Sequence, residues 1–272
     1  MNILITGCST GIGYFCAKKL KQDGHNVYAT CRDIRDVKKL QKDGLKSYKL
    51  DICESEDIKE TLSLILEDCE EKLDVLFNNA GYGQPGAIED ISKNILQEQF
   101  ETNVFGPQEL TNLVLPYMRK NGFGRIIYNS SVLGFISMAY IGAYNSSKYA
   151  LEGLCDTLRH ELLGSGIDVV LIEPGPIHSN FRKNALKKFH DNININSSVH
   201  KDVYKKTLER LKSKEDGPFT LKEEAVYLAL KKAINSKKPK ARYRVTFPSH
   251  LFWFFKRVLS TRALDFLLRK AG

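Results

Sequence analysis

The stretch that decides the fold lies near the amino terminus, where residues 2–13 read NILITGCSTGIG. The apolar run 3–6 predicts a short β-strand, and the composition of 13–22 predicts a helix directly after it. Between them, Gly7, Gly11 and Gly13 allow a tight turn and a close approach of the backbone to a phosphate. The amino end of the helix adds free N–H groups and a positive dipole end. The spacing differs from the G-x-G-x-x-G fingerprint, so a plain β–α connection stays open on this stretch alone.

Strand-like and helical segments alternate along the rest of the chain. Further strands are predicted at 27–31, 46–50, 73–78, 125–129, 167–172 and 242–247, and further helices at 56–69, 92–119, 143–163 and 221–235. Ser92 is a plausible N-cap of the third helix. This alternation predicts an α/β fold, a Rossmann-type doubly wound sheet of seven parallel strands flanked by helices, with a C-terminal helical tail. Ligands bind such sheets at the carboxyl ends of the strands, near the topological switch point.

The end of the second predicted strand indicates which dinucleotide is bound. NAD-binding folds usually place an acid there, to accept a hydrogen bond from the ribose 2′-hydroxyl. Cys31 occupies that position and Arg32 follows it. A guanidinium pairs well with a 2′-phosphate, so we expect NADP(H) in preference to NAD(H). The alternative is that Arg32 is a solvated loop residue, or that it pairs with Asp33 or Asp36.

Three polar residues form a candidate catalytic group. Tyr144 and Lys148 are four residues apart on a predicted helix and so share a face. A nearby ammonium lowers the pKa of a phenol, so Tyr144 is expected to take a proton from an alcohol or donate one to a ketone. Ser131, just past the fifth predicted strand, is placed to hold the substrate oxygen. Taken singly, each of these residues also has an ordinary structural explanation.

Taken together, these motifs resemble the short-chain dehydrogenase/reductase family over about residues 2–180, and more loosely to 246. The stretches that carry the resemblance are TGCSTGIG (6–13), Asp51-Ile52, NNAG (78–81), Asn103, Ser131, Tyr144-x-x-x-Lys148 and PGPI (174–177). The resemblance implies that Ser131, Tyr144 and Lys148 are catalytic, and that Asn103 completes a tetrad by bending its helix and holding a water beside Lys148. It also implies that the cofactor is bound by Gly7, Ser9, Thr10, Gly11, Ile12, Gly13, Arg32, Asp51, Ile52, Asn79, Ala80, Gly81, Tyr144, Lys148, Pro174, Gly175, Ile177 and Ser179. For residues 79–81, purely structural support of the sheet is an equal alternative.

Within the family, VYATCRD (27–33) and the long segment after Pro174 are similar to the 17β-hydroxysteroid and retinol dehydrogenase branch. That similarity implies an alcohol or carbonyl on a hydrophobic, steroid-, retinoid- or lipid-like substrate. Substrate contacts are expected from Ser131, Tyr144, Phe135 and Met138, with Tyr140 nearby, although the apolar ones fit a core equally well. Residues 177–217 are a candidate lid, or else an ordinary helical excursion. Enoyl reductases of this fold place their tyrosine seven residues before the lysine, where this chain has Ile141, so carbon–carbon double-bond reduction is disfavoured.

The charge of the chain is concentrated at its carboxyl end. The 272 residues hold 41 Lys and Arg against 32 Asp and Glu, a net charge of +9. Residues 237–272 carry ten basic residues and one acid, so the preceding body is neutral. We therefore expect one domain over 1–246 and a basic amphipathic tail over 247–272. The tail is expected to pack on the pocket or on a partner subunit; peripheral contact with an anionic membrane is the alternative, and nucleic-acid binding is disfavoured.

Six cysteines at 8, 16, 31, 53, 69 and 155 lack zinc-site spacing and are expected to be free thiols in a reducing cytoplasm. No metal is expected. The family resemblance implies a homodimer or homotetramer in which 92–119 and 143–163 pair with their copies. The competing hypothesis for function is an NADP(H)-binding regulator or membrane-surface scaffold without turnover, against which the intact tetrad argues.

Overall fold

A computed structural model describes residues 1–212 and 215–271. The described chain contains one seven-stranded sheet in the order β3-β2-β1-β4-β5-β6-β7, with every neighbouring pair parallel. The strands are β1 (Asn2–Ile5), β2 (Asn26–Cys31), β3 (Lys46–Lys49), β4 (Val75–Asn78), β5 (Gly124–Asn129), β6 (Ile167–Glu173) and β7 (Arg242–Arg244). This confirms the predicted Rossmann-type fold. The prediction for the last strand was too long, because Phe247 and Pro248 begin a helix instead.

Helices flank both faces of the sheet. They are α1 (Gly11–Gln22), α2 (Ile34–Lys42), α3 (Ser55–Asp68), α4 (Lys93–Phe100), α5 (Gly106–Asn121), α6 (Gly142–Glu161), α7 (Phe181–Asn192), α8 (Lys201–Lys212), α9 (Glu224–Asn235), α10 (Phe247–Val258) and α11 (Thr261–Ala271). The sequence analysis did not predict α2. That helix buries only Val37 and Leu40, too few for a helical period to stand out from its charged residues. Its N-cap is Asp33, whose side chain accepts from the Arg35 amide.

The predicted helix over 92–119 begins as expected but is not uniform. The Ser92 side chain accepts from the Ile95 amide at 3.3 Å, so the predicted N-cap is present. Residues Glu101–Phe105 then adopt a π-helix between α4 and α5. Short π-helical turns inside α-helices often mark functional sites, and Asn103 lies in the middle of this one.

Two apolar layers hold the sheet between the helices. One layer joins the sheet to α3, α5 and α6, and the other joins it to α1, α2 and α9. Fully burying a large aliphatic side chain contributes about 1.5–3 kcal/mol. The packing on both faces holds the strands in place, and it thereby fixes the points where the loops at their carboxyl ends begin.

The segment between β6 and α9 is helical. It contains α7, α8 and a short 3₁₀ turn between them. Phe189, Ile193 and Tyr204 from this segment form an apolar cluster with Ala87, which follows β4. The predicted lid therefore rests on the loops at the carboxyl edge of the sheet. Residues 213 and 214 of the predicted lid lie outside the described residues.

The tail forms α10 and α11, which pack on the body. Leu264 and Leu268 are buried against Ile136, in the loop that follows β5. The Ser249 hydroxyl also donates to the Glu173 carbonyl at the end of β6, at 2.8 Å. Residue 272 lies outside the described residues. Among the helices that the structure describes, none combines the length and the apolar character needed to span a membrane.

Candidate functional site

The carboxyl ends of β1 and β4 meet at the switch point of the sheet. The Thr6 hydroxyl, just past β1, accepts from the amides of Asn79 and Ala80 at 3.0 Å each. Gly7 has a φ of +72°, and a Cβ there would lie 2.8 Å from the Ala80 Cα. The glycine is thus required both by its backbone conformation and by the close approach of the neighbouring loop.

The phosphate loop forms a cradle at the start of α1. A Cβ on Gly13 would lie 2.3 Å from the Gly7 carbonyl oxygen, so only glycine lets the helix pack against the turn. Gly11, with a φ of +58°, opens the helix, and a Cβ there would meet the Ser179 Cβ at 3.3 Å. Gly11 thus lets the backbone that follows Ser9 and Thr10 come close to Ser179, two residues before α7.

The amino end of α1 suits an anion. Its first turn contains no acidic residue, and the Thr10 side chain makes no capping hydrogen bond within the described chain. The N–H groups of this turn are therefore available to a diphosphate. Ile12 packs against the apolar layer on the α1 face of the sheet. These observations fit the dinucleotide that the sequence predicted.

The predicted adenosine end brings Arg32 and Asp51 together. Arg32 Nε lies 3.9 Å from Asp51 Oδ2, and the Arg32 side chain is 78% exposed. Asp33 pairs with Arg35 instead. Ile52 lies beneath the start of α5, where a Cβ on Gly106 would sit 1.9 Å from its carbonyl oxygen. Arg32 is thus held only weakly and can turn toward a ligand.

Asn79 ties three strand ends together. Its Nδ2 donates to the Thr6 carbonyl at 2.9 Å, and its Oδ1 accepts from Asn129 Nδ2 at 2.9 Å. The side chain therefore braces β1, β4 and β5, as the structural alternative for residues 79–81 proposed. Gly81 has a different role, because a Cβ there would lie 3.1 Å from Asn103 Oδ1 and 3.9 Å from Lys148 Nζ.

Lys148 is buried beneath the candidate active site. Its Nζ donates to the Asn129 carbonyl at 2.7 Å and lies 5.7 Å from the centre of the Tyr144 ring. Burial lowers the pKa of Lys148 to about 8, and the negative charge of Glu152 acts in the opposite direction. Because α6 carries both residues one turn apart, Glu152 favours the charged ammonium.

Tyr144 points into the same site from the first turn of α6. It is 8% exposed. Burial raises the pKa of Tyr144 to about 12, and a hydrogen bond with Ser131 acts in the opposite direction. The sequence analysis expected the ammonium to lower this pKa, and in this state burial outweighs any such effect. The phenol is therefore neutral at neutral pH and able to donate a proton.

Ser131 is positioned by the loop that follows β5. Its hydroxyl accepts a hydrogen bond from the Leu133 amide at 3.1 Å. The amide of Val132, the residue after Ser131, donates to the Pro174 carbonyl at 2.8 Å. The loop is thus tied to the end of β6. Ser131 lies close enough to Tyr144 to act on the pKa of its phenol.

Asn103 locks the π-helix to two neighbouring elements. Its Nδ2 donates to the Tyr82 carbonyl and to the Ser147 hydroxyl, each at 3.0 Å, and its Oδ1 accepts from the Tyr82 amide at 3.1 Å. The side chain is 1% exposed. It therefore fixes the π-helix against both the loop after β4 and the helix that carries Tyr144 and Lys148.

The predicted nicotinamide side lies between the end of β6 and the lid. A Cβ on Gly175 would lie 2.2 Å from the Thr246 hydroxyl, so this glycine lets the residue before α10 approach the end of β6. Ile177 forms an isolated parallel bridge with Leu221. The Ser179 hydroxyl accepts from the Phe181 amide at 3.3 Å, at the start of α7. Pro174, Gly175, Ile177 and Ser179 thus form the root of the lid beside the phosphate loop.

The structure places Phe135, Met138 and Tyr140, the candidate pocket residues between Ser131 and Tyr144, in two different surroundings. Phe135 packs with the C-terminal helices. Met138 and Tyr140 line a cavity of about 430 Å³ together with Ile88, Asn145 and Tyr149. Asn145 and Tyr149 follow Tyr144 on α6 and line this cavity.

Sequence reasoning missed two residues at the site. Phe181 lies with its ring edge-on to Tyr144 at a centroid distance of 5.3 Å; the sequence marks it only as one of several apolar lid residues. Glu152 is 8% exposed, and its carboxylate accepts from Arg242 at 3.0 Å. Its position four residues after Lys148 was a usable signal, because residues so spaced share a helix face.

Comparison with known proteins identifies the family. The short chain dehydrogenase family model matches residues 1–189, so the chain belongs to that family. It is an enzyme of the short-chain dehydrogenase/reductase class, an oxidoreductase.

Among individual proteins, an uncharacterized oxidoreductase of Escherichia coli K12, YbbO, is 39% identical over 98% of this chain and 94% of its own length. Human 17-beta-hydroxysteroid dehydrogenase type 1 is 34% identical over 68% of this chain and 59% of its own length. A crystal structure of a short-chain dehydrogenase from Streptomyces avermitilis superposes with a TM-score of 0.80 at 27% identity, covering 99% of this chain and 97% of the other.

Proposed function

We propose that the protein interconverts an alcohol and a ketone or aldehyde, using NADP(H), with Tyr144 as the general acid and base. The observation that carries the proposal is the buried Tyr144 ring, with the Ser131 hydroxyl beside its phenol and the Lys148 ammonium 5.7 Å from its centre. Ser131 and Tyr144 converge on one point where a carbonyl oxygen can lie. Residues 1–246 would supply both the cofactor site and this catalytic group.

Each residue of the site has its own role in the proposed proton transfer. A nicotinamide cofactor, held by the phosphate loop and by the residues that follow β6, would supply or accept the hydride. Ser131 orients the substrate oxygen, and Tyr144 donates a proton to it during carbonyl reduction. Lys148 stabilises the phenolate that remains, because a nearby positive charge favours the ionised phenol. Asn103 holds the surrounding elements in place.

The proposed preference for NADP(H) is supported by Arg32. Its guanidinium is exposed next to the open phosphate loop and makes only a 3.9 Å contact with Asp51. Such a group can pair with a 2′-phosphate through two parallel hydrogen bonds. Steady-state kinetics with both cofactors test this point, and equal or better kcat/KM with NADH would refute it.

A hydrophobic substrate is supported by the relatives and by the site itself. One relative is named for a hydroxysteroid substrate, and the wall beside Tyr144 is the Phe181 ring. Ser131, Tyr144 and Met138 are the proposed substrate contacts. Phe135, which the sequence also suggested, packs with the C-terminal helices instead and is not proposed as a contact. Following NADPH absorbance against steroids, retinals, acyl ketones and small aldehydes would identify the class.

The competing function, a cofactor-binding regulator or scaffold without turnover, is separated by Tyr144→Phe. This variant keeps the ring that packs on Phe181 and loses only the hydroxyl. We expect turnover to fall about 10²- to 10⁴-fold, the usual worth of a general acid, with NADPH binding retained by fluorescence titration. Parental activity would remove Tyr144 from the mechanism, and a parent inactive on every substrate would favour the regulator.

We also propose a cytoplasmic homodimer or homotetramer that forms through α4–α5 and α6. Apolar side chains on these helices reach the surface: Leu96, Phe105, Tyr149 and Leu154 are between 36% and 51% exposed. Exposed apolar side chains on adjacent helices are typical of subunit interfaces. Light scattering coupled to gel filtration would measure the assembly, and a monomer at micromolar concentration would refute the proposal.

A further inference from the structure

The outward face of α10 carries an apolar stripe. Phe247, Leu251, Phe254 and Val258 follow one another at spacings of four, three and four residues, so they share one side of the helix. Phe247, Phe254 and Val258 are 57%, 53% and 56% exposed. The opposite side of the helix packs on the body through Phe252 and Phe255. The exposed stripe is therefore additional to the contacts that hold the tail in place.

The stripe extends toward the lid through Phe219. This residue is 59% exposed, and its ring centre lies 5.2 Å from that of Phe247. Its φ is +61°, a backbone conformation that costs a bulky residue energy. Two residues later, the Leu221 amide donates to the Pro176 carbonyl at 3.1 Å. The apolar surface thus begins beside the root of the lid and runs along α10.

Basic side chains surround this surface. Lys256, Arg257 and Arg262 are exposed on the two tail helices. Residues 237–272 contain ten basic residues and a single acidic residue, Asp265. On α11, Phe266 is 53% exposed with Lys270 Nζ 4.3 Å above its ring. Aromatic side chains within a basic rim are typical of helices that lie in the interface of an anionic bilayer.

Two other occupants fit less well. A symmetric dimer through this face would set two strongly basic tails against each other, because an isologous interface brings a patch against its own copy. Nucleic acid would match the charge, but the phenylalanine and valine side chains of the stripe would lie against a phosphate backbone that offers them no apolar partner.

We propose that the outer face of α10 and α11, together with Phe219, docks the protein on an anionic membrane surface. Phe247, Phe254 and Val258 enter the headgroup region, and the basic residues pair with lipid phosphates. The docking is independent of the redox reaction, since none of these side chains belongs to the catalytic group.

Trp253, the only tryptophan of the chain, provides a direct readout. It precedes Phe254, and its ring lies between the guanidinium groups of Arg244 and Arg257 at 4.1 and 4.0 Å. The full chain, saturated with NADPH, is mixed with phosphatidylcholine vesicles, with or without an equal amount of phosphatidylglycerol. Binding is measured by flotation, and insertion by quenching of Trp253 by brominated lipids. We expect binding and quenching with the anionic vesicles, and strong weakening of both at high salt.

Matched variants make the test specific. Phe254→Ser with Val258→Ser should abolish flotation, whereas Leu163→Ser with Val199→Ser, which changes residues 89% and 81% exposed on the body and lid, should leave it unchanged. Lys256→Gln and Arg262→Gln should each weaken binding roughly fivefold. Circular dichroism and NADPH binding must match the parent in every variant. A parent that stays with the soluble fraction, binding that survives loss of the stripe, or a dimer that Phe254→Ser disrupts would each overturn the proposal.

Discussion

The ring of Phe181 lies edge-on against the ring of Tyr144, with their centres 5.3 Å apart. On its other side, Phe181 fills the space above Gly83, where a Cβ would come within 2.5 Å of the phenylalanine Cζ. Phe181 is the first residue of α7. The position of α7 therefore acts directly on the Tyr144 ring through one aromatic contact.

Replacing Phe181 by Ala should impair catalysis without unfolding the protein. An aromatic pair contributes about 0.5–1.5 kcal/mol beyond its buried area, so we expect kcat/KM to fall about 2- to 10-fold. Steady-state kinetics with the best apolar substrate provide the measurement. Val199→Ala, at an exposed position of the same lid, is the matched control, and equal kinetics for both variants would show that the contact does not orient Tyr144.

The pH dependence of carbonyl reduction should report the charge on Lys148. With a pKa of about 8, the lysine is charged below that pH and stabilises the phenolate that Tyr144 becomes after donating its proton. The rate should thus be level below about pH 8 and fall above it. The negative charge of Glu152 raises the pKa of Lys148. Removing that charge should therefore move the fall in rate to lower pH.

Glu152→Gln keeps the size of the side chain and tests this coupling through the pH profile of kcat. Glu161→Gln, at the exposed end of the same helix, is the control and should leave the profile in place. If both variants share the parental profile, Glu152 does not act on Lys148 through its charge.

The burial of Lys148 should cost stability, and the cost should depend on pH. Its folded pKa of about 8 lies below the ordinary lysine pKa of 10.5, so between those values the unfolded chain binds more protons and stability rises with pH. Lys148→Met should therefore be inactive yet more stable than the parent at pH 7, by on the order of 1–3 kcal/mol. The lost hydrogen bond to the Asn129 carbonyl offsets part of the gain.

Urea unfolding at pH 7 and pH 10 would measure this difference. The advantage of Lys148→Met is complete below about pH 8 and should shrink as the pH approaches 10.5. Lys187→Met, at an exposed position, should show no such trend. A gain that is the same at both pH values would have a cause other than the charge of the buried ammonium.

The sequence predicted what short-range patterns determine. The alternation of short strand-like and helical segments placed the seven strands, and the ordered motifs from the glycine loop to Pro174-Gly175-Pro176-Ile177 identified the family. These features depend on residues that are close in sequence or fixed by a parallel sheet. The ends of β1 and β5 place Gly7 and Ser131 at the carboxyl edge of the sheet, and the first turn of α6 carries Tyr144.

The sequence could not predict features that depend on contacts between distant segments. The pKa of Tyr144 is set by how deeply the folded chain buries the side chain. The position of Phe135 is set by the tail helices, which lie more than a hundred residues further along the chain. The hydrogen bonds of the Asn103 side chain likewise reach Tyr82, which lies on another element. Pattern analysis contains no information on such pairings.

Arg32 offers the sharpest test of cofactor choice, because its only ion-pair partner among the described residues, Asp51, is at 3.9 Å and the side chain is largely exposed. Removing it therefore disturbs the fold little. Hydrogen bonds to charged groups contribute about 1.5–3 kcal/mol, so Arg32→Ala should raise the KM for NADPH about 10- to 100-fold and leave the KM for NADH nearly unchanged. Arg35→Ala removes a neighbouring guanidinium that already pairs with Asp33 and should affect neither. If Arg32→Ala weakens both cofactors equally, the guanidinium contacts a part that they share, and the preference for NADP(H) must come from another residue.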